Sequence, residues 1–221
     1  MKIGRLVSIE GIDGAGKSTL VDKLVVVLGE NGLKAKALHS SSFFEADFKR
    51  SGITDGSPML TLQERAFVSF SRLFDFYETK VRPAQAAVDV VLLDRHIWSF
   101  VVRWACRDVR WSVLTMLVEA QNLVPETAQT FLLDADPLRA YWRKRSAGIK
   151  LSPAETQGRI NTQSDREAFV NLQTRAQGYY NELVRNASTD RVTRIDSEIG
   201  EAAVLQIVID KLRDKKIIPI A

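Results

Sequence analysis

An α/β fold built on a parallel sheet is predicted by two features. A glycine-rich loop sits between a short apolar run and an amphipathic stretch, and further β-branched runs recur at intervals separated by helical spacing. The first apolar run is Leu6-Val7-Ser8-Ile9, and the segment from Ile9 to Leu20 reads IEGIDGAGKSTL, with the spacing Gly-x-x-x-x-Gly-Lys-Ser. Gly11, Gly14 and Gly16 let the backbone turn so that several N–H groups face one anion, and Asp13, Ala15 and Thr19 complete the loop. Lys17 places a point charge at the β- and γ-phosphates of a nucleotide. Ser18 offers a hydroxyl to Mg²⁺, and the helix that begins near Lys17 adds the positive end of its dipole. That helix runs to a plausible cap at Gly32.

The remaining elements follow in order. Lys34 to Ser40 reads as a short strand, and the polar, Phe-containing stretch through Gly56 as loop or irregular helix. Leu60 to Val88 has helical spacing, with Leu62, Ala66, Val68, Phe70, Leu73 and Phe74 among its apolar positions. Val88 to Asp94 and Thr130 to Asp136 are continuous apolar runs of the kind covered on both faces, and Asp190 to Asp196 is a weaker strand. The alternation implies helices on both faces of the sheet. The site then lies at the carboxyl ends of the strands, where Asp94, Arg95, Asp134 and Asp136 would gather.

With 221 residues and no Pro/Gly/Ser-rich linker, residues 1–221 are expected to form a single domain. Cys106 has no cysteine to pair with, and His39 and His96 alone give no metal-ligand spacing, so a reducing cytoplasm fits best. The N-terminus lacks a signal pattern, and no apolar run approaches the ~20 residues that span a bilayer. A net charge of +4 is compatible with nucleic acid, but the basic residues cluster around Arg139 to Lys150 without a nucleic-acid signature, and phosphate handling accounts for them.

Taken together, IEGIDGAGKST, KVRPAQAAVDVVLLDRHIWS, TFLLDADP and DREAFVNLQTRAQGYYNEL resemble, in order and spacing, the thymidylate kinase family of nucleoside monophosphate kinases. The resemblance spans most of the chain. It implies a P-loop fold with a five-stranded parallel sheet, ATP and Mg²⁺ as cofactors, a basic lid over the phosphates, and a homodimer. Arg95 would reach the acceptor's phosphate, because a guanidinium offers a planar fork of donors. Asp94 would orient Mg²⁺ together with Ser18, and Asp13 would touch the acceptor's sugar hydroxyl. Arg72, Phe70 and Ser99 would also face the acceptor, although the spacing from Arg72 to Pro83 is one residue longer than the resemblance implies. The lid would run approximately over 143–166, carrying Arg143, Lys144, Arg145, Lys150, Arg159 and Arg166, with Gly148, Pro153 and Gly158 interrupting it. Gly14 occupies the loop position where some relatives carry a catalytic arginine, so that duty is expected to fall on Arg145, Arg159 or Arg166.

The acceptor side departs from the pattern. HSSSFFE, from His39, replaces the Arg-Glu-Pro-Gly-Gly-Thr-like segment of the family, and Ser99 is followed by Phe100 and Val101 where polar base readers are expected. Arg103 stands near the place of a tyrosine, either to pair with an anionic group of the acceptor or to extend to solvent. Phe43, Phe44, Phe67, Phe70, Trp98, Trp104, Trp111 and Trp142 could stack on a base or fill the core. The expected activity is ATP-dependent phosphoryl transfer to a nucleoside monophosphate, most simply dTMP, with thymine specificity in question. A kinase for a nucleoside or another small hydroxylated metabolite, using Asp13, Glu10 or Asp94 as base, is the alternative; a nucleotide-dependent switch is a second.

Overall fold

The structure, a computed structural model, describes residues 4–40, 60–109, 119, 124–156 and 164–219. Along the chain lie β1 (Arg5–Gly11), α1 (Lys17–Glu30), β2 (Ala35–His39), α2 (Leu62–Phe76), α3 (Arg82–Ala87), β3 (Val90–Asp94), α4 (Ile97–Ala105), β4 (Gln129–Asp134), α5 (Pro137–Ser146), α6 (Asp165–Asn186), β5 (Val192–Asp196) and α7 (Glu201–Asp214). The strands form one five-stranded sheet in the order β2-β3-β1-β4-β5. All its neighbours are parallel.

The sequence pattern follows the sheet order. β3 is buried at every position, as its unbroken apolar run requires. β5 lies at an edge and buries only Ile195 fully, which is why its run is the weaker signal. From β1, α1 leads to one side of the sheet, whereas the later connections lead back the other way. Right-handed crossovers therefore put α1 on the face opposite α2 to α6, and α7 returns to pack on α1. The direction reverses at β1, so the crevice opens at the carboxyl ends of β1 and β3, beside the glycine-rich loop.

Helix starts are locally encoded. Thr61 and Glu64 form a capping box at α2, and Ser164 and Glu167 form another at α6. Between α2 and α3, Tyr77–Val81 winds as a π turn, and the Arg82 N–H bonds the carbonyl of Tyr77, five residues back. A π turn holds one residue more than an α turn. One residue more is therefore accommodated between Arg72 and Pro83 than a regular α-helical path would hold.

Deletion of Thr79, which is exposed within this turn, is expected to convert it to regular α-helix and be tolerated. Thermal denaturation should show a shift within about 4 °C, the scale of ~1 kcal/mol in a domain of this size. Loss of cooperative unfolding would show that the wide turn is required by packing.

Candidate active site

At the crevice the loop after β1 meets the ends of β3 and α6. Gly14 and Gly16 take left-handed backbone angles, with φ of 79° and 92°. Lys17 opens α1 and is 4% exposed; its Nζ donates to the carbonyl of Ile12 at 2.6 Å. Burial, with Arg95 nearby, lowers the Lys17 pKa to about 8 against the pull of the surrounding carboxylates.

Arg95 follows β3 with a left-handed φ of 74°, a strained position for a non-glycine residue. Its N–H is held by the Ile9 carbonyl at 3.1 Å, and its guanidinium pairs with Asp13 and donates to Ser99 Oγ at 3.4 Å. Gln173 of α6 clasps Asp13 from the other side: it accepts from the Asp13 N–H at 2.9 Å and donates to Asp13 Oδ2 at 3.3 Å. Burial pushes the Asp13 carboxyl up, but Arg95, then Lys17 and Lys144, outweigh it and hold its pKa at about 2. Arg95 is likewise held firmly protonated, Asp13 overcoming its burial.

Asp94 ends β3 and is 5% exposed. Its Oδ2 accepts from Ser18 Oγ at 2.5 Å and lies 3.1 Å from His39 Nδ1, while its buried Oδ1 has no hydrogen-bond partner. Burial raises its pKa, and the charge of Lys17 with the Ser18 bond more than reverses the effect. A buried carboxylate oxygen without a partner beside a serine hydroxyl is a hard-oxygen donor set that fits Mg²⁺. His39, whose Nε2 lies 3.2 Å from Asp22 of α1, steadies this carboxylate from β2. The sequence reading missed His39 as a site residue, because the pairing of His39 with Asp94 depends on strand register.

Glu10, on β1, performs a capping role across the sheet. His96 is the N-cap of α4 without a side-chain cap of its own, and Glu10 Oε1 accepts from the N–H groups of His96 at 2.9 Å and Ser99 at 3.4 Å. Glu10 Oε2 takes the hydroxyl of Ser99, and Tyr180 of α6 reaches it at 3.4 Å. Tyr180 also lies 2.9 Å from Ser99 Oγ. Burial raises the Glu10 pKa to about 7 despite these bonds.

The predicted acceptor residues divide. Ser99 joins the Arg95 and Glu10 network, and Arg72 is 9% exposed on α2. Phe70, Phe100, Val101, Trp98 and Trp104 are buried in the core cluster, whereas Phe67 and Trp142 are exposed. Phe100 and Val101 are each 7% exposed. Arg103 is exposed in the last turn of α4. Of the cations expected in a lid, Arg145 lies in the last turn of α5 and Arg166 in the first turn of α6, both exposed; Arg143 binds Glu198 at 2.7 Å, and Lys144 binds Glu155 at 2.5 Å. Arg159, Phe43, Phe44 and Trp111, with most of the rebuilt segment after His39, lie outside the described residues.

Residues 9–204 match the family model described as thymidylate kinase. A thymidylate kinase of Xanthomonas oryzae pv. oryzae is 30% identical over 172 residues, 77% of this chain and 72% of that protein. One from Xanthomonas campestris pv. campestris is 28% identical over 212 residues, 95% of this chain and 87% of that protein. A probable thymidylate kinase of Archaeoglobus fulgidus is 29% identical over 150 residues, 68% and 74% of the two chains.

A pH dependence follows from Glu10. Its pKa in the fold is raised from 4.5 to about 7, so its contribution to stability is full below pH 4.5 and is lost as pH rises through 7. The shift is worth about 3 kcal/mol. Glu10→Gln keeps an oxygen for the α4 amides and offers N–H donors to the two hydroxyls, so the variant should gain on wild type by that order between pH 4.5 and 8. Urea unfolding at both pH values checks this; taking the difference removes the opposing effect of buried His96, whose pKa is lowered to about 4. A pH-independent difference would contradict it.

Proposed function

Because the chain belongs to the thymidylate kinase family of nucleoside monophosphate kinases, and is therefore a phosphotransferase, we propose that it transfers the γ-phosphoryl group of ATP to dTMP. The observation that carries this reading is the Asp13–Arg95 pair, which joins the phosphate loop to a guanidinium at the end of β3. Such a guanidinium suits an acceptor that already bears a phosphate.

A nucleoside acceptor would instead need a general base to take the proton of its hydroxyl. Asp13, with a pKa of about 2 and bonds to Arg95 and Gln173, is too weak a base near neutral pH. Asp94, whose burial is outweighed by Lys17 and the Ser18 bond, is held below the ordinary carboxylate range and is a weak base as well. Glu10 has a suitable pKa of about 7 but is 0% exposed and occupied by α4 and Tyr180. A monophosphate needs no such base, because its oxygen is already a nucleophile at pH 7.

In this account the loop amides of Gly14 and of Gly16 to Thr19, with Lys17, hold the donor's phosphates, while the Asp13 amide stays on Gln173. Ser18 and Asp94 would hold Mg²⁺, which when bound neutralises charge on the β- and γ-oxygens. Arg95 orients the acceptor's phosphate, Asp13 fixes Arg95 and presents its free lone pairs to the sugar, and Ser99 buttresses Arg95. Arg72 adds a second cation toward the acceptor. The reaction depends on alignment and on positive charge around the transferring group. The same reading has the chain act in the cytoplasm as a homodimer; half-exposed Phe67 on α2 offers an apolar contact for a second copy, and no helix among the described residues is long and apolar enough to cross a membrane.

With Phe100 and Val101 buried, thymine is read by pocket shape more than by side-chain hydrogen bonds. Shape alone typically discriminates ~10–200-fold, whereas hydrogen-bond readout can exceed ~10⁴-fold. Initial rates of ADP formation with dTMP, dUMP, dCMP, dGMP, thymidine and no acceptor should therefore show turnover with dTMP, a preference over other monophosphates within about 200-fold, and none with thymidine. Lys17→Ala should abolish most of it without altering the circular dichroism. Turnover with thymidine and not with dTMP would overturn the reading.

A further inference from the structure

The helix that backs the phosphate loop carries a cation of its own toward it. α5 lies against the loop so closely that a Cβ at Gly14 would meet the carbonyl oxygen of Ala140 at 2.8 Å and its Cβ at 3.1 Å. Lys144 stands four residues after Ala140, on the same helical face, and so over the loop. Its side chain is only 16% exposed. Its charge is felt at Asp13, within the loop, ranking after those of Arg95 and Lys17. The neighbouring cations are placed differently: Arg143 is bound to Glu198 at 2.7 Å, and Arg145 faces solvent.

Lys144 is paired, at 2.5 Å, with Oε1 of Glu155, itself 12% exposed. The other carboxylate oxygen of Glu155 accepts from Ser152 N at 2.8 Å and Ser152 Oγ at 3.0 Å. The acid is thus anchored in its own turn and presented to the lysine. A largely buried ammonium on the helix face that backs the phosphate loop, paired with a single carboxylate among the described residues, has the form of a cation held on a temporary partner. The flexible four-carbon stem lets the ammonium swing away from Glu155 by rotation about single bonds.

We propose that Lys144 is the catalytic lid cation that contacts the transferred phosphoryl group, and that Glu155 is the counter-ion it leaves when the donor triphosphate binds. The proposal rests on the kinase reading above. As the acceptor's phosphate oxygen bonds to the γ-phosphorus, the bond from that phosphorus to the β–γ bridging oxygen breaks, and its electron pair leaves on ADP. Lys144 transfers no proton in this step; its charge stabilises the equatorial oxygens of the phosphoryl group.

Two measurements on Lys144→Ala, Lys144→Arg, Glu155→Gln and the Lys144→Ala/Glu155→Gln double variant test this. In steady-state kinetics, Lys144→Ala should lower kcat about 10²-fold with the KM for dTMP nearly unchanged, and Lys144→Arg should recover most of the loss. Glu155→Gln should keep kcat and lower the KM for ATP, an effect absent in the Lys144→Ala background. By calorimetry, Lys144→Ala should weaken binding of a non-hydrolysable ATP analogue about 10-fold or more while leaving ADP affinity unchanged, since only the analogue carries a γ-group. Equal loss for both nucleotides, wild-type kcat in Lys144→Ala, or matching losses of kcat and Tm in Lys144→Ala and Glu155→Gln would reduce the pair to a structural salt bridge and overturn the proposal. If wild-type protein phosphorylates no monophosphate, the kinase reading fails, and the two-nucleotide comparison still decides whether Lys144 meets a γ-phosphate.

Discussion

The ion pair between Asp13 and Arg95 is the constraint on which the site depends. It ties a residue of the phosphate loop to a residue at the end of β3, two segments that share little sequence proximity and meet because β1 and β3 are adjacent. Arg95 adopts a left-handed backbone there, a conformation that costs on the order of 1–3 kcal/mol and persists only when its surroundings enforce it. The enforcement is visible in the Ile9 carbonyl on its N–H, in Asp13 on its guanidinium, and in Gln173 on Asp13. The strain and the electrostatics have the same outcome: a cation fixed at the mouth of the crevice, with its position set before any substrate arrives.

Behind this pair lies Glu10, which connects β1, α4 and α6 through buried polar contacts. A carboxylate capping a helix from a neighbouring strand sets where Ser99 stands, and Ser99 in turn contacts Arg95. Desolvation of Glu10 acts against ionisation, whereas the α4 amides and the nearby cations favour it, so a pKa near 7 reflects two large opposing effects. The acceptor side of the crevice is therefore held by groups that the acceptor itself need not touch. That division separates the apolar packing of Phe100 and Val101 on α4 from the polar contacts that hold Ser99 and Arg95.

Much of the fold was legible because its signals are local. The loop glycines precede a helix and follow a strand, and β3 and β4 are unbroken apolar runs. The extra residue between Arg72 and Pro83 was legible as a discrepancy, but its resolution as a π turn was not, since a wide turn has no compositional signature in YETKV. Asp94 and Ser18 could be paired from their motif; His39 could not be added, because it depends on β2 lying in register beside β3. Lys144 was one of several lid cations, and only the packing of Ala140 on Gly14 distinguishes the face it occupies from that of exposed Arg145. Aromatic residues were ambiguous between stacking and core for the same reason: spacing gives a helical face, not what lies opposite it.

The central claim is that Asp13 acts on the acceptor's phosphate through Arg95, and a double-mutant cycle addresses it most directly. Asp13→Asn, Arg95→Lys and the combined variant would be compared with wild type in kcat/KM for dTMP at saturating Mg-ATP. If Asp13 positions Arg95, loss of either partner disables the same interaction, and the coupling energy should exceed about 1 kcal/mol. Additive losses, within about 0.5 kcal/mol, would mean that the two residues act independently and would contradict the account.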